Sequence, residues 1–119
     1  MDIPATGNGP KPNQRVWARP SEIPTGSSVA RQLDVMRKLV RGEVGGPQFA
    51  REWLAGRQAA LAKGERVREP FERALLDVFY ALDESYAIDP LTREASDMTE
   101  EQLVKLVGDA LERLDRLNT

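Results

Sequence analysis

Apolar residues recur along this chain with the period of a helix. Val29, Leu33, Met36 and Val40 stand at i, i+4, i+7 and i+11, one stripe on a helix expected over about Ser28 to Arg41. Ser27 or Ser28 supplies the N-cap oxygen, and Gly42 stops the helix before the short connection Glu43-Val44-Gly45-Gly46. Pro47 opens a second helix, because proline suits the first helical turn. Phe49, Trp53 and Ala60 share one face of it, Ala50, Leu54 and Leu61 lie beside them, and Gly64 ends it. Pro70 opens a third. Phe71, Leu75, Val78 and Leu82 form its stripe, with Phe79 and Tyr86 on an adjacent row and fraying expected near Ser85. Asp89-Pro90 marks a loop, since the residue before proline is pushed out of the α region. The fourth helix has the clearest start: Thr99-Glu100-Glu101-Gln102 fits the capping box. Leu103, Val107, Ala110, Leu114 and Leu117 make its stripe, and Arg113 and Arg116 suit the negative end of its dipole.

No period-two run marks a strand. Four amphipathic helices with mostly short links predict an all-α fold, an antiparallel four-helix bundle over residues 27–119. The connection from Ser85 to Met98 is longer than a turn requires, and long ordered loops are often functional. Residues 1–26 show no apolar periodicity and hold five of the eight prolines, with Gly7, Gly9 and Gly26. Such a segment buries too little surface to offset its ordering entropy and reads as a flexible N-terminal arm. Trp17 is its one large aromatic. It is either a tether onto the body or a partner, or a partly exposed residue of a mobile tail.

Charge divides the chain. Residues 1–73 carry 13 Lys/Arg against 8 Asp/Glu, and residues 74–119 carry 4 against 11, within a total of −2. From Asp77 to Glu101 there are eight carboxylates and one base, Arg93. An acidic edge on a small protein suits a basic surface, and basic surfaces commonly bind nucleic acid. Equally, acids on exposed helix faces keep a small protein soluble.

Several chemistries drop out. With no His and no Cys there is no Ser/His/Asp or Cys/His catalytic arrangement, no thiolate metal site and no disulfide. No glycine-rich phosphate loop occurs, and Asp89 to Glu101 lacks the glycine of a calcium loop. The expectation is a non-enzymatic protein without metal or cofactor. No apolar run reaches the roughly 20 residues that span a bilayer, and the N-terminus lacks a secretory plan. A cytoplasmic protein without a membrane partner is expected. Lys11, Arg15 and Arg19 could meet nucleic acid only non-specifically. Tyr80 and Tyr86 suit an interface, or a boundary covering the core edge.

Two stretches carry a resemblance. Met36-Arg37-Lys38-Leu39-Val40-Arg41-Gly42-Glu43-Val44, followed by Gly46-Pro47-Gln48-Phe49-Ala50-Arg51-Glu52-Trp53-Leu54, resembles the opening of the colicin D-type bacterial immunity proteins. Leu76-Asp77-Val78-Phe79-Tyr80-Ala81-Leu82-Asp83-Glu84-Ser85-Tyr86, then Asp89-Pro90 and a capped final helix, is similar to a later part of that family. The likeness covers about Val29 to Leu117, and the order and spacing of all these features together carry it. It implies a four-helix bundle that binds a cognate toxin's nuclease domain, which cleaves tRNA in the anticodon loop. The inhibitor fills the basic cleft with carboxylates standing in for RNA phosphates. Carried over residue by residue, the toxin-binding set would be Asp83 and Glu84 at the end of the third helix and Asp89 in the loop, supported by Asp77, Tyr80 and Tyr86. The Pro-rich arm has no counterpart in the short members, and the loop before the fourth helix differs in length. The competing expectation is a helical adaptor or regulatory protein that binds nucleic acid or a partner through its basic arm. The oligomeric state is left open.

Overall fold

The computed structural model describes residues 15–118 and is mostly helical. In chain order it contains β1 (Arg15–Trp17), a 3-10 turn (Pro20–Glu22), α1 (Ser28–Val40), α2 (Gly46–Ala62), β2 (Glu65–Val67) and α3 (Phe71–Tyr80). A π turn (Ala81–Ser85) prolongs α3, a second 3-10 turn spans Pro90–Thr92, and α4 is Glu100–Leu117. Packing joins α1 to α2 and to α4, and α3 to α4. The core lies between these helices, where Trp53, Phe49, Phe71, Met36, Leu75, Leu103 and Leu114 are fully buried.

The helix ends follow local chemistry. Ser27 Oγ accepts from Ala30 N–H at 3.1 Å and caps α1. At the other end Glu43 N–H reaches Lys38 O at 2.8 Å and Gly42 N–H reaches Leu39 O at 3.0 Å, the paired bonds of a Schellman motif. That motif needs the left-handed conformation Gly42 adopts, with φ +77°. The capping box of α4 is complete: Gln102 N–H donates to Thr99 Oγ1 and Thr99 N–H donates to Gln102 Oε1. The expected stripes of α3 and α4 are buried except Leu117, which is half-buried. Val40 and Leu61, in the last turns of α1 and α2, are exposed instead.

Two expectations are corrected. A strand pair exists: β1 runs parallel to β2 in the register Arg15↔Glu65, Val16↔Arg66, Trp17↔Val67. Three-residue strands are too short for alternation to be legible, and their partners are distant in sequence. Residues 15–26, expected as part of a flexible arm, form a strap over the helices. Trp17 and Ile23 pack against the core, and Ser21 N–H donates to Asn118 Oδ1 at 2.9 Å near the end of α4. Of its two readings, Trp17 takes the docked one. The earlier part of the expected arm lies outside the described residues.

β2 also brings a carboxylate inside. Glu65 is only 2% exposed, and its two oxygens accept from Ser28 N–H (3.1 Å) and Val29 N–H (3.0 Å). These are the otherwise unpaired amides of the first turn of α1, at the positive end of its dipole. One buried acid thereby fastens the α2–α3 connection to α1.

Candidate functional site

The acidic edge begins on α3. Asp77 pairs with Arg113 of α4, so this carboxylate already has a partner within the fold. One turn later Tyr80 is 50% exposed and meets Phe79 edge to face at 5.6 Å. Arg57 of α2 lies over the Phe79 ring at 5.2 Å and also bonds Glu72 at 3.1 Å. Asp77 and Tyr80 line an open groove of about 500 Å³ between α3 and α4, together with Gln102, Leu106, Asp109 and Arg113.

The helix then widens. Tyr86 N–H reaches back five residues to Ala81 O at 2.8 Å, which makes Ala81–Ser85 a π turn. Ala81 and Leu82 point into the core while Asp83 and Glu84 are exposed. Among the described residues, neither Asp83 nor Glu84 makes a salt bridge or a side-chain hydrogen bond.

The loop that follows is tightly held. Its ends meet where Met98 N–H donates to Ser85 O at 2.8 Å. Asp89 is exposed, yet its Oδ1 accepts from Leu91 N–H at 2.9 Å and its carbonyl accepts from Thr92 N–H and Oγ1, both at 3.0 Å. Asp97 Oδ2 accepts from Glu94 N–H at 2.7 Å. Asp89 and Asp97 therefore act first as turn-forming acceptors and present only their remaining lone pairs outward.

Tyr86 departs from expectation. Read either as an interface residue or as a boundary covering the core edge, it lies deeper than both: it is 3% exposed and is part of the core cluster. Arg93 stacks over its ring at 4.9 Å and donates to its hydroxyl at 3.0 Å and to Ala87 O at 3.1 Å. The hydroxyl also bonds Glu100, whose Oε1 accepts from Gly46 N–H at 3.1 Å at the start of α2. This network of Arg93, Tyr86, Glu100 and Gly46 joins the loop, α4 and α2. Burial pushes the Tyr86 phenol above its ordinary value of 10.0; the Arg93 charge opposes that shift and the Glu100 charge adds to it. The close fit has a backbone requirement. A Cβ at position 46 would lie 2.8 Å from Tyr86 Cζ and 2.9 Å from Glu100 Oε1, closer than atoms pack.

Six of the eight carboxylates thus separate by role, and Glu94 and Glu101 are exposed on the loop and at the start of α4. Asp77 and Glu100 are engaged with Arg113 and with Gly46 and Tyr86, Asp89 and Asp97 shape the loop, and Asp83 and Glu84 stand unpaired. Sequence reasoning brought Asp83, Glu84 and Asp89 into one region but missed Arg93, Glu100 and Gly46. The single base in an otherwise acidic stretch was a legible signal that Arg93 has an internal task. Also missed was Leu91, 94% exposed on the 3-10 turn. Among the described residues, no group of three or more acidic residues is placed to hold a metal ion, and no helix is long and apolar enough to cross a membrane. Comparison with protein-family models, with curated proteins and with solved structures finds no match for this chain.

Proposed function

We propose that this protein is an immunity-type inhibitor, a non-enzymatic, stoichiometric binder of a cognate ribonuclease toxin of the tRNA-cleaving kind. In this reading its helices form the antiparallel four-helix bundle of the colicin D-type immunity proteins, and it acts in the cytoplasm, where the toxin meets its RNA. The observation that carries the proposal is the pair of exposed, unneutralised carboxylates Asp83 and Glu84 on the π turn, beside a loop braced from within. A ribonuclease cleft gathers cationic side chains to hold phosphates. Carboxylates presented at fixed positions can take those places through charge-assisted hydrogen bonds. Their long-range field speeds encounter, and close pairing in a desolvated cleft slows release.

The supporting residues divide in two. Asp77 and Tyr80 would reach the toxin's rim from the α3–α4 groove, and Asp89 would contact it from the loop. Tyr86 supports the surface from inside. The competing reading, an adaptor working through a basic arm, gains little: Arg19 pairs with Glu22 at 3.9 Å, and Lys11 lies outside the described residues.

The test is co-expression with ribonuclease toxin domains encoded near this gene, scored by growth and by recovery of a one-to-one complex. Rescue is expected for the wild type. The double variant Asp83→Lys/Glu84→Lys should raise Kd by at least roughly 30-fold, since disrupting close interfacial charge pairs costs a few kcal/mol. Circular dichroism should stay unchanged, because neither side chain has a partner among the described residues. Unchanged affinity in that variant would remove Asp83 and Glu84 from the interface.

A further inference from the structure

The least expected side chain on this surface is Leu91. It is 94% exposed, against 42–50% for the other exposed large apolar residues. It stands midway along the loop between Ser85 and Met98, whose backbones are hydrogen-bonded to each other. Its own N–H is held by Asp89, and the next residue is bonded twice to the Asp89 carbonyl. Arg93, two residues on, is stacked on the buried Tyr86 ring. The fold therefore invests several internal bonds in presenting an apolar side chain to water, where its hydration is unfavourable.

We infer that Leu91 is the apolar anchor of the toxin interface, inserted into a hydrophobic socket that is rimmed by Lys and Arg on the nuclease. The inference rests on the proposed function and adds to it a residue and the chemistry of its receptor. Charge complementarity selects the occupant. Asp89 and Glu94 flank Leu91 in sequence and are exposed, and Asp83 and Glu84 precede the loop. An anionic membrane surface or an RNA would be repelled by these charges, whereas a basic protein cleft is attracted to them. Interfaces commonly combine an apolar centre with a charged rim that excludes water from it. The carboxylates then govern encounter and share with Leu91 the control of residence time, Leu91 supplying the part that salt does not screen. The turn that holds it means little ordering entropy is lost on docking.

The test uses the full chain and the catalytically inactivated nuclease domain recovered by co-expression, with binding followed by surface plasmon resonance at low and high salt. Leu91→Ala should weaken binding about 30-fold, almost all in the off-rate, from the apolar surface no longer buried. Leu91→Met should restore most of the loss. The factor for Leu91→Ala should persist at high salt, while that for Asp83→Lys/Glu84→Lys should shrink. Leu61→Ala, a comparable truncation at a 49% exposed position on α2, should change nothing. Melting temperatures should match throughout, because Leu91 contributes no packing to the core. If the wild type binds and Leu91→Ala binds equally well, the anchor is refuted and the inhibitor reading stands. If the wild type binds no nuclease, both fall.

Discussion

Replacing Gly46 by alanine should destabilise this protein, although the same change elsewhere in a helix stabilises it. Alanine restricts the unfolded chain and favours helix, which ordinarily gives about 0.4–1 kcal/mol. At Gly46 the added methyl would overlap Tyr86 and Glu100, with Cζ at 2.8 Å and Oε1 at 2.9 Å, well inside van der Waals contact. Tyr86 is buried in the core and cannot swing away freely. Relief requires moving the ring or the start of α2. Such overpacking costs about 1–3 kcal/mol. Glu100 must also shift from Gly46 N–H, losing a charge-assisted bond worth about 1.5–3 kcal/mol. The destabilising terms win, and a net loss of roughly 3.5 kcal/mol is expected from the midpoints of these opposing ranges. Gly108 in α4 is the control, because its added methyl would meet only Val40 Cγ2 at 3.9 Å, an ordinary contact. Gly108→Ala should gain about 0.5–1 kcal/mol. Urea unfolding would compare the two variants at equal m-values. Hydrogen exchange should also show faster opening of residues 86–99 in Gly46→Ala, since its substitution strikes the network that braces that loop. A Gly46→Ala protein as stable as the wild type would refute the close packing of Gly46, Tyr86 and Glu100.

Further outcomes follow from the same contacts. Glu65→Ala leaves two amides at the start of α1 without their acceptor and should cost about 3 kcal/mol in urea unfolding, against less than about 0.5 kcal/mol for Glu69→Ala, whose carboxylate is exposed. Raised above 10.0 in the folded state, the Tyr86 phenol contributes stability that is complete below pH 10 and lost as pH rises through the folded pKa. A pH series of melting temperatures should show this alkaline loss in the wild type and a smaller one in Tyr86→Phe. Trp17→Ala should cost about 1–3 kcal/mol by removing a half-buried ring from the strap, while Val16→Ala, 48% exposed, should stay within about 0.5 kcal/mol. Equal melting temperatures for Trp17→Ala and the wild type would mean that residues 15–26 do not brace the helices.

What the sequence determined by itself is the local part of this protein. The four helices, the Thr99–Gln102 capping box and the Gly42 stop each depend on residues within a turn or two of one another, so periodicity and capping chemistry suffice to read them. The concentration of carboxylates near the end of α3 was equally plain, because charge is visible without coordinates. Tertiary structure decided how those carboxylates are used. Whether an acid is neutralised depends on neighbours far along the chain: Arg113 reaches Asp77 and Gly46 reaches Glu100, while nothing described reaches Asp83 or Glu84. The same holds for Glu65 under α1 and for the β1–β2 pair, whose partners are about fifty residues apart and too short to leave a pattern. Tyr86 and Leu91 make the point most directly. Composition would bury the leucine and expose the tyrosine's polar tip, yet the fold turns Tyr86 inward because Arg93 and Glu100 satisfy its hydroxyl there, and holds Leu91 out in water. Burial and pairing are properties of the packed whole, so no window of sequence contains them.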